Sequence, residues 1–158
     1  MASLYTSQTY GSRDKAYGAL ITDQLFACNV MRDVEALSRY VPTYQYEFTE
    51  AKTPGIIDPY MAMGAFHGAE LRYLFQAKLP GPTLNLSLST AQQQLADQMV
   101  RYWGQFAATG NPNLAANPLW PSFTAGKASS LALNSASITA FQASSFKTDH
   151  QCALWATH

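Results

Sequence analysis

The chain has 158 residues, enough for one domain with its own core, and 47% of them are apolar. Only 13% are charged, against about 25% in typical soluble domains, so we expect large buried faces, some of them against protein outside this sequence. Ten basic and ten acidic residues cancel without forming a run, which argues against a nucleic-acid partner, and no apolar stretch approaches the ~18 residues that span a bilayer.

The first predicted element is a helix over residues 15–40, followed by a strand over residues 43–48. Apolar residues recur at helical spacing in the first segment: Phe26, Val30, Val34 and Leu37, extended by Ile21, Leu25 and Cys28. Asp14 is the predicted cap, and Tyr40-Val41-Pro42 marks the end. The alternating, aromatic-rich strand then completes half of an α/β unit.

A long irregular loop is predicted next. Residues 49–66 contain two prolines, two glycines and several small residues, and loops of this length in compact domains are usually functional or disordered. The loop leads into His67, which stands between small residues at a predicted chain turn. A short helix over residues 68–76 follows, and Lys78-Leu79-Pro80-Gly81-Pro82 ends it.

The clearest helix begins at Ser89 or Thr90 and runs to about Ala108. Its apolar stripe consists of Leu95, Met99, Tyr102, Trp103 and Phe106. Gly110 and the segment Asn111-Pro112-Asn113 forbid its continuation.

The remaining residues predict smaller elements. An aromatic cluster occupies the loop 119–123, two short strands cover residues 131–134 and 137–141, and a final short helix covers residues 145–157. No internal repeat and no linker divides the chain. We therefore expect residues 1–158 to form one domain, or part of one.

Several motifs are missing from the sequence. There is no G-x-S-x-G for a hydrolase serine, no G-x-x-x-x-G-K-[ST] and no G-x-G-x-x-G for a phosphate. The three histidines, His67, His150 and His158, and the two cysteines lack zinc-ligand spacing. We therefore predict neither a metal nor a cofactor.

His67 remains as a candidate catalytic base. Imidazole is the side chain best suited to proton transfer near neutral pH, but a histidine beside Phe66 is also typical of a hydrogen-bonded structural residue. Glu70, three residues later, would orient the ring in the first interpretation and form a surface pair in the second. The spacing of these residues does not decide between a catalytic and a structural role for His67.

The two cysteines also leave two interpretations open. Cys28 and Cys152 lie near opposite ends of the chain. They are either two separate buried thiols, as in a cytosolic protein, or one disulfide that closes a very long loop.

Taken together, these segments resemble the C-terminal third of a type-B carboxylesterase, a family of α/β-hydrolases that includes the cholinesterases and para-nitrobenzyl esterases. The resemblance is carried by a helix with a Thr-Asp pair and a cysteine (10–28), a strand (41–48), the catalytic-histidine segment (64–75) and a long helix with its following loop (102–121). The end of the chain, 149–155, is also similar to the end of the family.

The resemblance implies an α/β-hydrolase fold in which His67 is the general base and Glu70 the recurrent glutamate of that segment. It implies that the nucleophilic serine, the acid and the oxyanion loop belong to an N-terminal part upstream of Met1, because the family order is serine, acid, histidine. Small to medium carboxylic esters are the implied substrates, and the loop 53–66 would help to shape the rim of the active site. This chain alone would be inactive.

The same resemblance implies a Cys28–Cys152 disulfide and therefore an exported parent protein. Residues 1–15 are polar and do not form a signal peptide. Two alternatives to the enzyme stay open: a non-catalytic, cholinesterase-like adhesion module, and an inactive truncated remnant that would aggregate when expressed by itself.

Overall fold

The computed structural model describes residues 4–53, 64–65, 67–75, 87–124 and 129–156. The helices in these residues are α1 (Ser7–Tyr10), α2 (Arg13–Thr22), α3 (Cys28–Leu37), α4 (Leu71–Phe75), α5 (Thr90–Thr109), α6 (Ala143–Asp149) and α7 (Cys152–Trp155). The strands are β1 (Tyr46–Phe48), β2 (Ser129–Leu133) and β3 (Ile138–Gln142).

The chain folds into two compact units, each assembled from separated segments. The first unit consists of Met1–Gln45, Pro121–Ser130 and Phe141–His158. The second consists of Tyr46–Trp120 and Leu131–Ala140.

The predicted helix 15–40 is found in the first unit as α2 and α3, joined by a π-helical segment, Asp23–Ala27. The prediction that Asp14 caps it was wrong. Ser12 adopts an extended conformation and its Oγ accepts a hydrogen bond from the Lys15 backbone N–H at 3.1 Å, which is the geometry of an N-cap. Asp14 lies instead in the first turn, where a carboxylate is favoured by the helix dipole.

The buried face of this helix also differs from the predicted stripe. Val34 is buried, but Phe26, Val30 and Leu37 are exposed. Hydrogen bonds in a π-helical turn span five residues instead of four, so the helix that follows it is rotated relative to an uninterrupted α-helix. The residues that form the core of this unit are Ala27, Met31, Val34, Phe123, Ala143 and Phe146.

The single C-terminal helix predicted over residues 145–157 is two helices, α6 and α7. Gln151 separates them with a left-handed backbone (φ 52°), a conformation that α-helices do not contain. The bridge that the family resemblance implied is confirmed: Cys152, at the start of α7, forms a disulfide with Cys28, at the start of α3.

The sheet has the order β1-β2-β3. β1 is parallel to β2, with Tyr46 opposite Leu131 and Phe48 opposite Leu133. Parallel neighbours need a long crossover connection, which fits the predicted α/β class. The predicted strand 43–48 is shorter than expected, because Thr43 forms an isolated bridge with Phe123 instead of joining β1.

α5 is the most accurately predicted element. Ser89 and Gln92 form a reciprocal capping box, and Gly110 ends the helix in a left-handed conformation. Leu95, Met99 and Tyr102 of the predicted stripe are buried, whereas Phe106, near the end of the helix, is exposed. α5 contacts α4, the helix that follows the turn of His67. Among the described residues, no helix combines the length and the apolar character needed to cross a membrane.

Candidate functional site

His67 lies in the turn that precedes α4. Residues 67–70 form the turn, and the backbone N–H of Leu71 donates to the carbonyl of Gly68 at 3.1 Å. Gly68 has a φ of 83°, a left-handed conformation that glycine adopts without steric cost. The side chain of His67 is exposed. The predicted position of His67 at a chain turn is therefore confirmed.

Two buried residues fix the backbone on the C-terminal side of His67. Ala69 and Tyr73 are completely buried. The ring of Tyr73 packs edge-on against Phe48 of β1 with ring centroids 5.0 Å apart, and its Oη lies 3.5 Å from Oγ1 of Thr53. The turn is thus held against the sheet while the imidazole stays accessible to a partner.

The negative charge of Glu70 affects the pKa of Tyr46. Burial and, to a lesser extent, the negative charge of Glu70 raise the pKa of the Tyr46 hydroxyl to about 12. This effect places the charge of Glu70 near β1. No sequence pattern connects Tyr46 with Glu70, because the two residues lie in separate predicted elements.

An aromatic cluster surrounds Tyr46. Its ring makes edge contacts with Trp103 and Trp120, at centroid distances of 5.1 and 5.9 Å. The hydroxyl of Tyr102 donates to the carbonyl oxygen of Pro118 at 2.6 Å, and burial raises the pKa of Tyr102 to about 12. The start of the predicted aromatic loop is therefore attached to α5. The cluster also packs α5 against Tyr46 of β1.

The other candidate residues do not join His67. In the first unit, Nδ1 of His150 lies 2.6 Å from Oδ1 of Asp23. The loop residues 54–63 and 66, together with His158, lie outside the described residues. In the described ranges, no group of three or more His, Cys, Asp or Glu side chains is arranged to hold a metal ion.

Sequence reasoning missed the role of Asp23. This carboxylate is only 2% exposed, and it also accepts a hydrogen bond from Tyr5 Oη at 2.8 Å. Tyr5 Oη in turn accepts one from Trp155 Nε1 at 3.0 Å. A buried carboxylate is stable when its oxygens are paired. The sequence does show a carboxylate among the apolar residues of the predicted helix 15–40. It does not show the partners of Asp23, because they come from both ends of the chain.

The local geometry suits proton transfer. An exposed imidazole on a turn with a fixed backbone can accept a proton from one group and deliver it to another. The sequence has no serine in the strand-to-helix motif of hydrolases, so a nucleophile for this base would have to come from elsewhere.

Comparison with known proteins shows the family. A model of the carboxylesterase family matches residues 2–155. Carboxylesterase 4A of Bos taurus is 39% identical over 82 residues, which are 52% of this chain and 14% of that protein. The acetylcholinesterase of Bungarus fasciatus is 32% identical over 135 residues, which are 80% of this chain and 21% of that protein. The chain thus spans only a small part of these relatives.

The fold is also shared with a solved structure. A thermophilic pNB esterase superposes with a TM-score of 0.67 and 24% sequence identity, covering 92% of this chain and 29% of the esterase. This likeness confirms the predicted α/β-hydrolase fold. The match of the family model over nearly the whole sequence shows that the chain belongs to the carboxylesterase family.

Proposed function

We propose that this chain is the C-terminal segment of a serine carboxylic-ester hydrolase and that His67 is the histidine of its catalytic triad. The observation that carries the proposal is the exposed imidazole in the turn before α4, in a chain that belongs to the carboxylesterase family. The buried side chains of Ala69 and Tyr73 support it, because they hold this turn in place. A base needs a fixed position to meet a nucleophile.

In the proposed mechanism, His67 takes the proton of a serine hydroxyl as that serine attacks the ester carbonyl. It then gives the proton to the leaving alcohol. When water hydrolyses the acyl-enzyme, His67 takes a proton from the attacking water and delivers it to the serine oxygen as the acyl–serine bond breaks. The serine, the acid that holds the imidazolium and the oxyanion hole would come from the N-terminal part of the same hydrolase. The 158 residues by themselves would be inactive.

Small to medium esters with an apolar part are the proposed substrates. Leu71 and Phe75 lie one turn apart on α4, the helix that follows the turn of His67, and both are exposed. Exposed apolar side chains beside the base would receive the apolar part of an ester. The Cys28–Cys152 disulfide supports an oxidising, extracytoplasmic location for the parent protein.

The test uses the parent polypeptide that carries these residues downstream of a G-x-S-x-G segment. We expect it to hydrolyse a p-nitrophenyl ester, and His67→Gln to lower kcat by about 10³-fold or more, because the serine loses its base. The control is His158→Gln, the same substitution at a histidine to which the proposal gives no role, and it should leave kcat unchanged.

Two outcomes would contradict the proposal. If the His67→Gln protein kept its kcat, His67 would not be the base. If the folded parent protein showed no esterase activity at all, the alternative of a non-catalytic binding module of the same fold would be favoured. Circular dichroism of each variant would show that the loss of activity is not a loss of folding.

A further inference from the structure

A cavity of about 520 Å³ lies in the first unit, beside the disulfide. Cys28, Met31, Arg32 and Glu35 line one side of it, and their spacing places them on one face of α3. Lys147 of α6 and Trp155 of α7 line the other side. The volume lies in the range of pockets that bind small molecules, which is about 300–1,000 Å³.

The walls of this cavity are apolar. Met31 and Trp155 are 1% and 3% exposed and are therefore fixed by packing. These two side chains therefore close the inner side of the cavity, whereas Ala153 and Ala156 are exposed at its lining. The disulfide adds polarizable sulfur. Such walls favour the alkyl or aromatic part of a ligand.

The charged groups at this cavity are two cations and one carboxylate: Arg32, Lys147 and Glu35. Lys147 forms an ion pair with Glu35. The other ion-pair contact found among the described residues joins His150 to Asp23, so in that part of the chain Arg32 has no carboxylate partner. Arg32 donates to the side-chain oxygen of Asn29, which uses one of the five N–H donors of a guanidinium.

We propose that this cavity binds a small amphipathic carboxylate, with its apolar part against the disulfide and the exposed Ala153 and Ala156, and its carboxylate on the guanidinium of Arg32. The net positive charge at the lining and the free donors of Arg32 favour an anion, and the planar guanidinium matches the two oxygens of a carboxylate. The inference goes beyond the proposed esterase function. The cavity contains none of the residues around His67, so each proposal can fail without the other.

The experiment titrates the 158-residue chain, with its disulfide formed, with octanoate. Isothermal titration calorimetry should show one saturable site, and Trp155 should report binding by a change in fluorescence that Trp155→Phe abolishes. The uncharged 1-octanol has the same chain length and should bind at least about tenfold more weakly, because it cannot form a charge-assisted hydrogen bond with Arg32.

Two variants separate the charge from the cavity. Arg32→Gln should weaken octanoate binding about tenfold or more, whereas the control Arg39→Gln, at an exposed arginine just beyond α3, should change it less than about twofold. Ala153→Phe places a large side chain at the lining and should also weaken binding. Thermal unfolding of each variant shows whether the chain remains folded.

The proposal would be overturned by any of three results. These are the absence of saturable octanoate binding to the folded chain, equal affinities for octanoate and 1-octanol, and equal loss of binding in Arg32→Gln and Arg39→Gln.

Discussion

The buried carboxylate of Glu50 is held by one neighbouring and one distant part of the chain. Glu50 is 4% exposed, and its two carboxylate oxygens accept hydrogen bonds from the backbone N–H groups of Lys52 and Ser135, both at 3.0 Å. Burial raises the pKa of Glu50, but these hydrogen bonds and the charge of Lys52 outweigh it, so the pKa lies below its usual value of 4.5. Glu50 therefore joins the end of β1 to the segment between β2 and β3.

This lowered pKa predicts a pH-dependent contribution to stability. The contribution should be fully present above the unfolded-state pKa and be lost as the pH falls through the lower pKa of the folded state. We expect Glu50→Gln to lower the free energy of unfolding at pH 7 by about 1–3 kcal/mol, because two buried N–H groups lose a charged acceptor. Urea unfolding of the wild type and of Glu50→Gln between pH 7 and pH 3 measures this difference in the free energy of unfolding.

The difference between the wild type and Glu50→Gln should shrink as the pH falls through the lowered pKa of Glu50 in the folded state. Asp33→Asn, at an exposed position of α3, is the control and should have little effect at either pH. A difference that stays constant from pH 7 to pH 3 would mean that the charge of Glu50 is not the source of the stabilisation.

At the scale of elements, α5 holds the candidate site in place. It contacts α4 directly, and the side chain of Gln92, at its N-terminus, donates to the carbonyl of Lys52 at 3.0 Å. Its C-terminal end depends on Gly110, whose φ of 74° costs a residue with a Cβ about 1–2 kcal/mol. Gly104, by contrast, lies within the helix, and a Cβ there would meet nothing within 4 Å.

These two glycines predict opposite effects of the same substitution. Gly110→Ala should lower the free energy of unfolding by about 1–2 kcal/mol, because alanine is strained in the left-handed conformation. Gly104→Ala should raise it by about 0.5–1 kcal/mol, because alanine has the higher helix propensity and fits the open space. Denaturant unfolding of both variants measures the effects, and a destabilised Gly104→Ala would contradict this account of α5.

At the scale of the whole molecule, the first unit depends on contacts between the two ends of the chain. Cys28 and Cys152 are separated by 124 positions, and every residue of the second unit lies between them in the sequence. Closing a loop of this length restricts the unfolded chain strongly, whereas it costs the folded unit little. Among the described residues, both units carry exposed apolar side chains, which agrees with the low charge of the sequence.

We predict that the double variant Cys28→Ser/Cys152→Ser has a free energy of unfolding about 2–5 kcal/mol lower than that of the oxidised wild type. A reductant should lower the stability of the wild type to a similar level and should not change that of the double variant. Equal stability of the oxidised wild type and the double variant would show that the bridge does not stabilise the fold.

Sequence alone determined the features that depend on neighbouring residues. The limits of α5 followed from Ser89 and Gly110, because caps act on backbone groups within one turn. The turn at His67 followed from the small residues around it. The fold class and the disulfide followed from the resemblance to carboxylesterases, and the spacing of the two cysteines by itself left the pairing open.

Only the tertiary structure decided which surfaces are buried and which distant groups meet. The π-helical segment rotates α3, so Met31 faces the core, whereas Val30, which belongs to the predicted apolar stripe, is exposed. The pairing of β1 with β2 and the contacts of Asp23 with Tyr5 and His150 join residues from separate parts of the chain. Contacts of this kind depend on the packing of whole elements, and a local pattern of residues carries no information about them.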